Sequence, residues 1–336
     1  MLRALNKNGI GVDGTAEGVL KAYLRDNPKC SLVDTLLFYK GIIGLEKFDI
    51  PRFINPHTGR IHPHYDQLKA RTGRTSCKDP NLQNVPNPKN EFQRDIGIDL
   101  RECFVPREGN LFAAADYSQV ELRIMAEYSG DPLMIEAFVN NRDLHLETAR
   151  LAFNDPTITG DDIRRQYAKN ANFCIIFGGG GATLAYLLDV TEEEGIDILN
   201  RVHSAFPGVG RWMKAAQSEA EQQGFAMTLL GRKRFFKDPE SKAEEAFLKR
   251  AAINTPVQGT AADLAKRALI RVHKALPECP IVLFVHDEIV VEAEADKIDE
   301  VARVMEREMV LAGEEILKTV PVTADREVKK NWGRTG

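Results

Sequence analysis

Three groups of residues in this 336-residue chain have the types and spacing of a reactive centre. The first is Asp116-Tyr117-Ser118-Gln119-Val120-Glu121-Leu122-Arg123. Here a carboxylate follows the apolar run Leu111 to Ala115, which reads as a buried strand, and a helix is expected from Ser118 to Tyr128. Asp116 is thereby placed at an exposed strand tip. Ser118 and Glu121 also have the spacing of a capping box, which by itself explains a serine and a glutamate at a helix start. The second group, His286-Asp287-Glu288, separates the apolar runs Ile281 to Val285 and Ile289 to Val291, read as two strands joined by a tight turn. Aspartate is common in turns, but a turn usually recruits glycine or asparagine, and this one supplies two adjacent carboxylates instead. If the two strand tips are neighbours, Asp116 and Asp287 converge with no lysine between them. Two magnesium ions require such a pair, because hard cations take oxygen ligands and keep room for substrate phosphates. No Cys/His spacing suits zinc.

The third group lies in Ile163 to Phe177, where Arg165, Lys169, Phe173 and Phe177 recur every four residues. On a helix they form one slowly drifting stripe about 18 Å long, cations at one end and aromatic rings at the other. An amphipathic helix with two core phenylalanines and two solvated charges gives the same pattern. A nucleoside triphosphate nevertheless needs that order, positive charge at the phosphates and an apolar plate against sugar and base. Gly178 to Gly181 follows and should end the helix. A phosphate-binding loop is the rival reading of these glycines, but no Gly-Lys-Ser/Thr follows them.

Around these groups the pattern of the chain changes three times. Ala16 to Leu24 and Leu32 to Leu45 read as helices broken by Asn27-Pro28. Residues 51 to 110 are irregular with short strands, with turn signals at Asn55-Pro56, Asp79-Pro80 and Asn87-Pro88. Helices then dominate from Ser118 to about Ala275, and the two strands around His286, a helix from Lys297 to Leu317 and a short strand near Pro321 to Val328 complete the chain. Strands at both ends of a helical middle predict an α/β (α+β) platform with a helical insertion. Lysine and arginine (45) fall short of aspartate and glutamate (49), so net charge gives no hint of a nucleic-acid partner. The five cysteines, Cys30, Cys77, Cys103, Cys174 and Cys279, contain no CxxC pair and are expected as free thiols of a reducing compartment. No apolar run approaches the roughly 18 residues of a membrane span, and no signal peptide opens the chain, which predicts a soluble, cytoplasmic protein.

Taken together, Asp-Tyr-Ser-Gln-x-Glu-Leu-Arg, Arg-x3-Lys-x3-Phe and Val-His-Asp-Glu resemble the three motifs of the family A DNA polymerases, the bacterial polymerase I type, at matching separations. The likeness extends to Thr72-Gly73-Arg74, to Asp79 through Pro86, to Asp143-Leu144-His145 and to Arg250 through Asp263. It covers nearly the whole chain from about residue 30. The resemblance implies a right-hand architecture: a thumb remnant in 1–50, a first part of the palm with a mixed sheet in 51–127, helical fingers in 128–245 and a second part of the palm in 246–336. It implies a template-directed enzyme that adds deoxynucleotides to a primer 3′ end with two Mg2+ ions. Asp116, Asp287 and the Tyr117 carbonyl would hold the metals, with Glu288 in support and Lys169 acting in catalysis. Gln119, Glu121, His145, Arg165, Lys169, Phe173 and Phe177 would bind the nucleotide, Glu121 blocking a ribose 2′ hydroxyl. Arg74, Asn81, Gln83, Asn84, Arg250, Asn254, Gln258 and His286 would contact primer-template DNA through phosphates and minor-groove acceptors common to every base pair.

Two departures stand out. Where the family usually carries Phe-Gly-x-x-Tyr-Gly, this chain has Phe173-Cys174-Ile175-Ile176-Phe177-Gly178, so a tyrosine hydroxyl is lost and a thiol gained. Little of a thumb precedes residue 30 and no proofreading exonuclease is expected. An upstream domain or a subunit is therefore expected to supply thumb or exonuclease, and DNA to be held weakly without it. The cellular setting implied is a bacterial or phage-infected cell. A single-subunit RNA polymerase shares the architecture, but Glu121 speaks against it; a metal-dependent nuclease has no use for the Arg165 to Phe177 stripe. A catalytically silent nucleic-acid binding module need not have kept Asp116 and Asp287 together.

Overall fold

A computed structural model describes residues 1–46, 48–86 and 99–333, and the turn expected at Asn87-Pro88 lies outside them. The chain divides into two compact units, one of residues 1–64 and 77–103, the other of 65–76 and 104–336. In the first unit α1 (Leu2–Lys7), α2 (Glu17–Asp26) and α3 (Ser31–Glu46) gather around Leu5, Ile10, Val12, Leu20 and Val33. Asn27 caps the end of α2 and Pro28 cannot continue it, which is the expected break. Short strands β1 (His64–Asp66) and β2 (Ser76–Lys78) mark two of the places where the chain passes between units.

The second unit is built on a four-stranded antiparallel sheet. Strand β3 (Asn110–Tyr117) lies in its interior; the hairpin β4–β5, Phe225–Met227 with Lys233–Phe235, stands apart. The sheet order is β6 (Ile281–Val285), β7 (Glu288–Glu294), β3, β8 (Ala324–Lys329). Helices α4 (Val120–Ser129), α5 (Pro132–Val139), α6 (Leu144–Phe153), α7 (Ile163–Ile176), α8 (Gly181–Leu188), α9 (Glu192–Ala205), α10 (Pro207–Gln223) and α11 (Lys242–Ala275) come between β3 and β6. Helix α12 (Ile298–Glu314) follows β7. The expected helical insertion is therefore present and every strand expected from the apolar runs forms, in a sheet whose pairings are all antiparallel rather than mixed.

Alternation along β3 explains the layering, since successive side chains face opposite sides. Ala113, Ala115 and Tyr117 turn into the core that includes Met305 and Met309 of α12, and the Tyr117 hydroxyl donates to the Met309 carbonyl at 2.6 Å. Asp116 points the other way and is exposed. The helical middle differs from expectation at the β4–β5 hairpin, whose strands of three residues are too short to show a period. The helix expected at Ser118 begins instead at Val120, because Gln119 sits in the left-handed region at φ 53° and cannot join an α-helix. All five cysteines are free, as expected. Among the described residues no helix is long and apolar enough to cross a membrane.

Helices α8 and α9 cross at glycines. A Cβ on Gly195 would lie 2.6 Å from the Gly181 carbonyl oxygen and 2.7 Å from the Ala185 Cβ, so backbone would have to move. Gly195→Ala is expected to destabilise the protein by about 1–3 kcal/mol through overpacking, against a gain of ~1 kcal/mol from helix propensity alone. Urea unfolding reads the sign: a stabilised variant would show that this crossing is not close-packed.

Candidate active site

The register of the sheet assembles the first cluster. Ala115 pairs with Ile289 across β3 and β7, which brings the end of β3 beside the β6–β7 hairpin. In that hairpin Val285 pairs with Glu288, so His286 and Asp287 are the two turn residues. His286 has φ 60°, a sign that primed hairpin turns require and that glycine usually supplies. The carboxyl groups of Asp116 and Asp287 lie close enough to interact directly. Burial holds the Asp287 carboxyl above the usual range, the Arg74 guanidinium opposes this, and neighbouring Glu288 adds to it. Two carboxyl groups this close need a shared proton or a cation between them. Glu288 accepts from the Trp332 indole at 3.3 Å, and Trp332 stands edge-on to Phe104, so this carboxylate is anchored from the C-terminal strand side.

Arg74 donates to the Glu121 carboxylate at 2.6 Å. Burial raises the Glu121 pKa, Arg74 lowers it and Asp287 raises it, so Arg74 is set between acids of both strand and helix. The capping box does not form: Gln119, not Ser118, is the N-cap, and its side chain makes no capping bond. Glu121 is thus free of that duty and turned toward Arg74. Buried Arg123 ties the same corner together, donating to Ser118 O, Pro321 O and Thr323 Oγ1 and lying over the Phe138 ring.

A second cluster runs along α6 and α7. Helix α7 ends at Ile176, and Phe177 with Gly178 at φ 66° forms its C-terminal cap, as the glycines predicted. Arg165, Lys169 and Phe173 are half-buried, while Ala168, Ala171, Cys174 and Ile175 fill the core side. Phe173 stacks on Phe177 at 6.5 Å and meets the His145 ring at 5.9 Å. Asp143 caps α6 by accepting from His145 N and Leu146 N, and its other oxygen receives the Arg165 guanidinium at 2.6 Å. Among the described residues Lys169 has no carboxylate within ion-pair distance. Burial pushes His145 down to about 4, with Asp143 opposing and Lys169 and Arg165 adding to the shift. The departing Cys174 is absorbed locally: its Sγ would meet a Cβ on Gly179 at 2.6 Å, and it donates to Gly180 O.

The remaining candidates separate. Arg250, Asn254 and Gln258 recur every four residues on α11, one face of a helix, and Gly178 lies against Arg250 with 3.2 Å to its Cα from a built Cβ. Asn81, Gln83 and Asn84 belong to the other unit, where Leu82–Asn84 is a single 3-10 turn preceded by Asn81, whose side chain makes no capping bond. Buried polar atoms without a partner among the described residues include Oδ1 of Asn81, Oε1 of Gln119 and Oδ1 of Asn254. Orphaned acceptors are costly and rare, and these three are on candidate ligand-binding residues, whereas Asp99 Oδ2 is on a residue with no such role. Asp143, Thr148 and Asn172 were given no role in the sequence reading; an aspartate preceding an apolar helix start was the available signal for the first.

The donor set fits magnesium. Among the described residues no cluster of three or more His, Cys, Asp or Glu forms a cage, and magnesium is held by one or two carboxylates together with substrate phosphates. The neighbouring carboxylates Asp116 and Asp287 suit that description.

Residues 2–334 match the model of the DNA polymerase family A. The chain is 38% identical to DNA polymerase I of Chloroflexus aurantiacus over 84% of its own length and 30% of that protein. It is 35% identical to the thermostable DNA polymerase I of Thermus aquaticus over 96% of its length and 38% of that protein. It therefore spans roughly a third of these relatives. Among solved structures it resembles the POL domain of Pol1 from M. smegmatis in complex with DNA primer-template and dNTP. The TM-score is 0.85 and the identity 30%, over 95% of this chain and 56% of that one. The antiparallel sheet with its helical insertion is the α/β right-hand polymerase fold, and this chain belongs to the family A DNA polymerases.

Proposed function

We propose that this chain performs template-directed DNA synthesis, joining deoxynucleoside triphosphates to the 3′ end of a primer annealed to template DNA. The observation that carries the reading is the close approach of Asp116 and Asp287 at adjacent strand ends, flanked by Glu288 and Arg74. The relatives' names and the neighbour's bound primer-template and dNTP support the same substrates. Asp116, Asp287 and the Tyr117 carbonyl would hold two magnesium ions. Such ions, when bound, lower the pKa of the primer hydroxyl and offset charge on the leaving pyrophosphate. Arg165 and Lys169 clamp the triphosphate, Asp143 fixing the angle of Arg165 while Lys169 remains a mobile point charge. His145 donates to a phosphate oxygen, and Gln119 lies at the nucleotide. Phe173 packs on the sugar, and Phe177 lies near the templating base without the hydroxyl that the family's tyrosine carries. Arg74, Asn81, Gln83, Asn84, Arg250, Asn254, Gln258 and His286 hold the duplex through phosphates and minor-groove acceptors, which suits copying of any sequence. The domain scheme of thumb remnant, two-part palm and fingers goes with this reading. The test is primer extension on a primed template with magnesium, comparing deoxynucleotides with ribonucleotides. Extension with deoxynucleotides is expected; cleavage of DNA without synthesis would sink the proposal.

Asp287→Ala is expected to slow nucleotide addition at least about a hundredfold, as for loss of other charge-stabilising groups, while primer-template affinity stays nearly intact. Rapid-quench addition with a parallel binding titration measures both, and full extension by the variant would refute the metal assignment. Lys169→Ala should cost ~3 to 4 kcal/mol in kcat/KM for the incoming nucleotide; a change below about threefold in single-turnover incorporation counts against its phosphate role. For Glu121→Ala, removal of a side chain at the ribose is expected to raise ribonucleotide relative to deoxynucleotide incorporation, because the selectivity is a clash. Competition between the two nucleotides reads this, and an unchanged ratio would assign Glu121 solely to its ion pair with Arg74.

A further inference from the structure

Behind the cation–aromatic stripe lies a buried polar chain that the proposed chemistry has not used. The Thr148 hydroxyl donates to the Leu144 carbonyl at 2.6 Å. Its single proton thus committed, the Thr148 oxygen accepts from Asn172 Nδ2 at 3.0 Å. The second Nδ2 proton then meets His145 Nδ1 at 3.2 Å. All three side chains are buried, Thr148 at 0%, Asn172 at 5% and His145 at 5% exposed, so these bonds are shielded from competition by water. An imidazole nitrogen that accepts cannot also carry the proton. Among the described residues nothing bonds to His145 Nε2, which leaves that nitrogen available to a ligand.

We infer that Asn172, oriented by Thr148, is a positioning residue that fixes His145 as the Nε2–H tautomer, so that a neutral imidazole presents a donor, and not a lone pair, to the incoming nucleotide's phosphate oxygens. This rests on the assignment of His145 to nucleotide binding. The charged groups around the ring suit it. Asp143 faces His145 from the start of its own helix, Arg165 and Lys169 face it from α7, and they supply the positive charge. His203 on α9 borders the small cavity that Asn172 also lines, while Asp197–Arg201 on α9, Glu136–Arg142 beside α5 and Glu147–Arg150 on α6 are already paired. Burial keeps His145 neutral down to about pH 4, so the tautomer, not the protonation state, is the controlling variable near neutrality. An arginine or lysine would need no such device. A neutral histidine does, because its wrong tautomer sets a lone pair against phosphate.

Asn172→Asp tests this on the full chain, since a carboxylate at that position can only accept and draws the proton to Nδ1. Two readouts are needed. In histidine 15N-labelled protein, long-range nitrogen–proton correlation reports the tautomer without any substrate; wild type is expected to show Nε2–H and the variant Nδ1–H. In single-nucleotide addition at pH 8 the variant's KM for dNTP is expected to rise about tenfold or more, the worth of one hydrogen bond to a charged group, with kcat changed less. Because the new carboxylate raises the His145 pKa, this penalty relative to wild type is expected to shrink as pH falls from 8 to 6, a reversal that a purely structural lesion would not give. In a His145→Gln background Asn172→Asp is expected to add nothing. Nδ1–H in the wild type overturns the inference, and so does a switched tautomer with unchanged KM when His145→Gln alone raises KM. If His145→Gln leaves KM unchanged, the nucleotide assignment fails and takes the inference with it, although the spectrum still reports the proton. Should Asn172→Asp not fold, the wild-type spectrum and Thr148→Val carry the test: freeing the Asn172 amide to turn is expected to mix the tautomers and raise KM by a smaller factor, and a pure Nε2–H signal with wild-type KM would overturn the role of Thr148 and Asn172.

Discussion

The convergence of the Asp116 and Asp287 carboxyl groups at neighbouring strand ends is the constraint around which this unit is organised. Burial disfavours the charged carboxylate and raises the Asp287 pKa, neighbouring Glu288 adds to the rise, and Arg74 opposes it. The sheet enforces the approach regardless. Strand β3 is paired with β7 up to Ala115 and with β8 at Asp116 itself, opposite Asp325, so Asp116 cannot withdraw without disturbing the sheet. Asp287 is held by a two-residue turn whose first member, His286, already occupies the left-handed region that most side chains avoid. Local strain of this kind is retained where surrounding structure over-determines it. A one-residue slip of β3 would turn Asp116 into the core and Tyr117 outward, so the core face of the sheet and the acidic pair depend on the same register.

Neighbouring groups limit the cost. Arg74 lies between Glu121 and Asp287 and answers both acids, and it is delivered by the Thr72–Arg74 loop passing over α11, where only glycine fits at Gly259 against Thr72 O and Thr228. Buried Asp263 binds Arg232 at 2.6 Å, and Arg232 in turn packs on Gly73. The long helix α11 therefore serves twice, as the floor under that loop and as the bearer of the Arg250, Asn254 and Gln258 face.

The cation–aromatic cluster obeys a different logic. Its parts lie on rigid helices, and each is oriented by one neighbour: Arg165 by Asp143, the His145 ring by Asn172 and Phe173, and Phe177 by stacking on Phe173. Groups fixed beforehand lose little freedom when a ligand arrives, which is how positioned cations and donors outperform solvated ones. Lys169, unlike Arg165, keeps its charge unpaired among the described residues, so the cluster combines one rigid cation with one mobile one.

Much of this was legible in residue order. Strand and helix periods located β3, β6, β7, α7 and α12 within a few residues, because burial of one face leaves a local signature in the sequence. The adjacency of two acids to strand ends, and the four-residue spacing of Arg165, Lys169 and Phe173, are likewise one-dimensional facts. What needed the third dimension was every choice between partners. Ser118 and Glu121 have the spacing of a capping box, yet the left-handed Gln119 moves the helix start, and Glu121 turns to Arg74, 47 residues away in sequence. The Thr148–Asn172–His145 chain joins residues 24 and 27 positions apart, and the tautomer it dictates has no sequence signature. Spacing records which face a residue occupies on its own element; which groups meet across elements is set by register and packing, and those are properties of the folded chain alone.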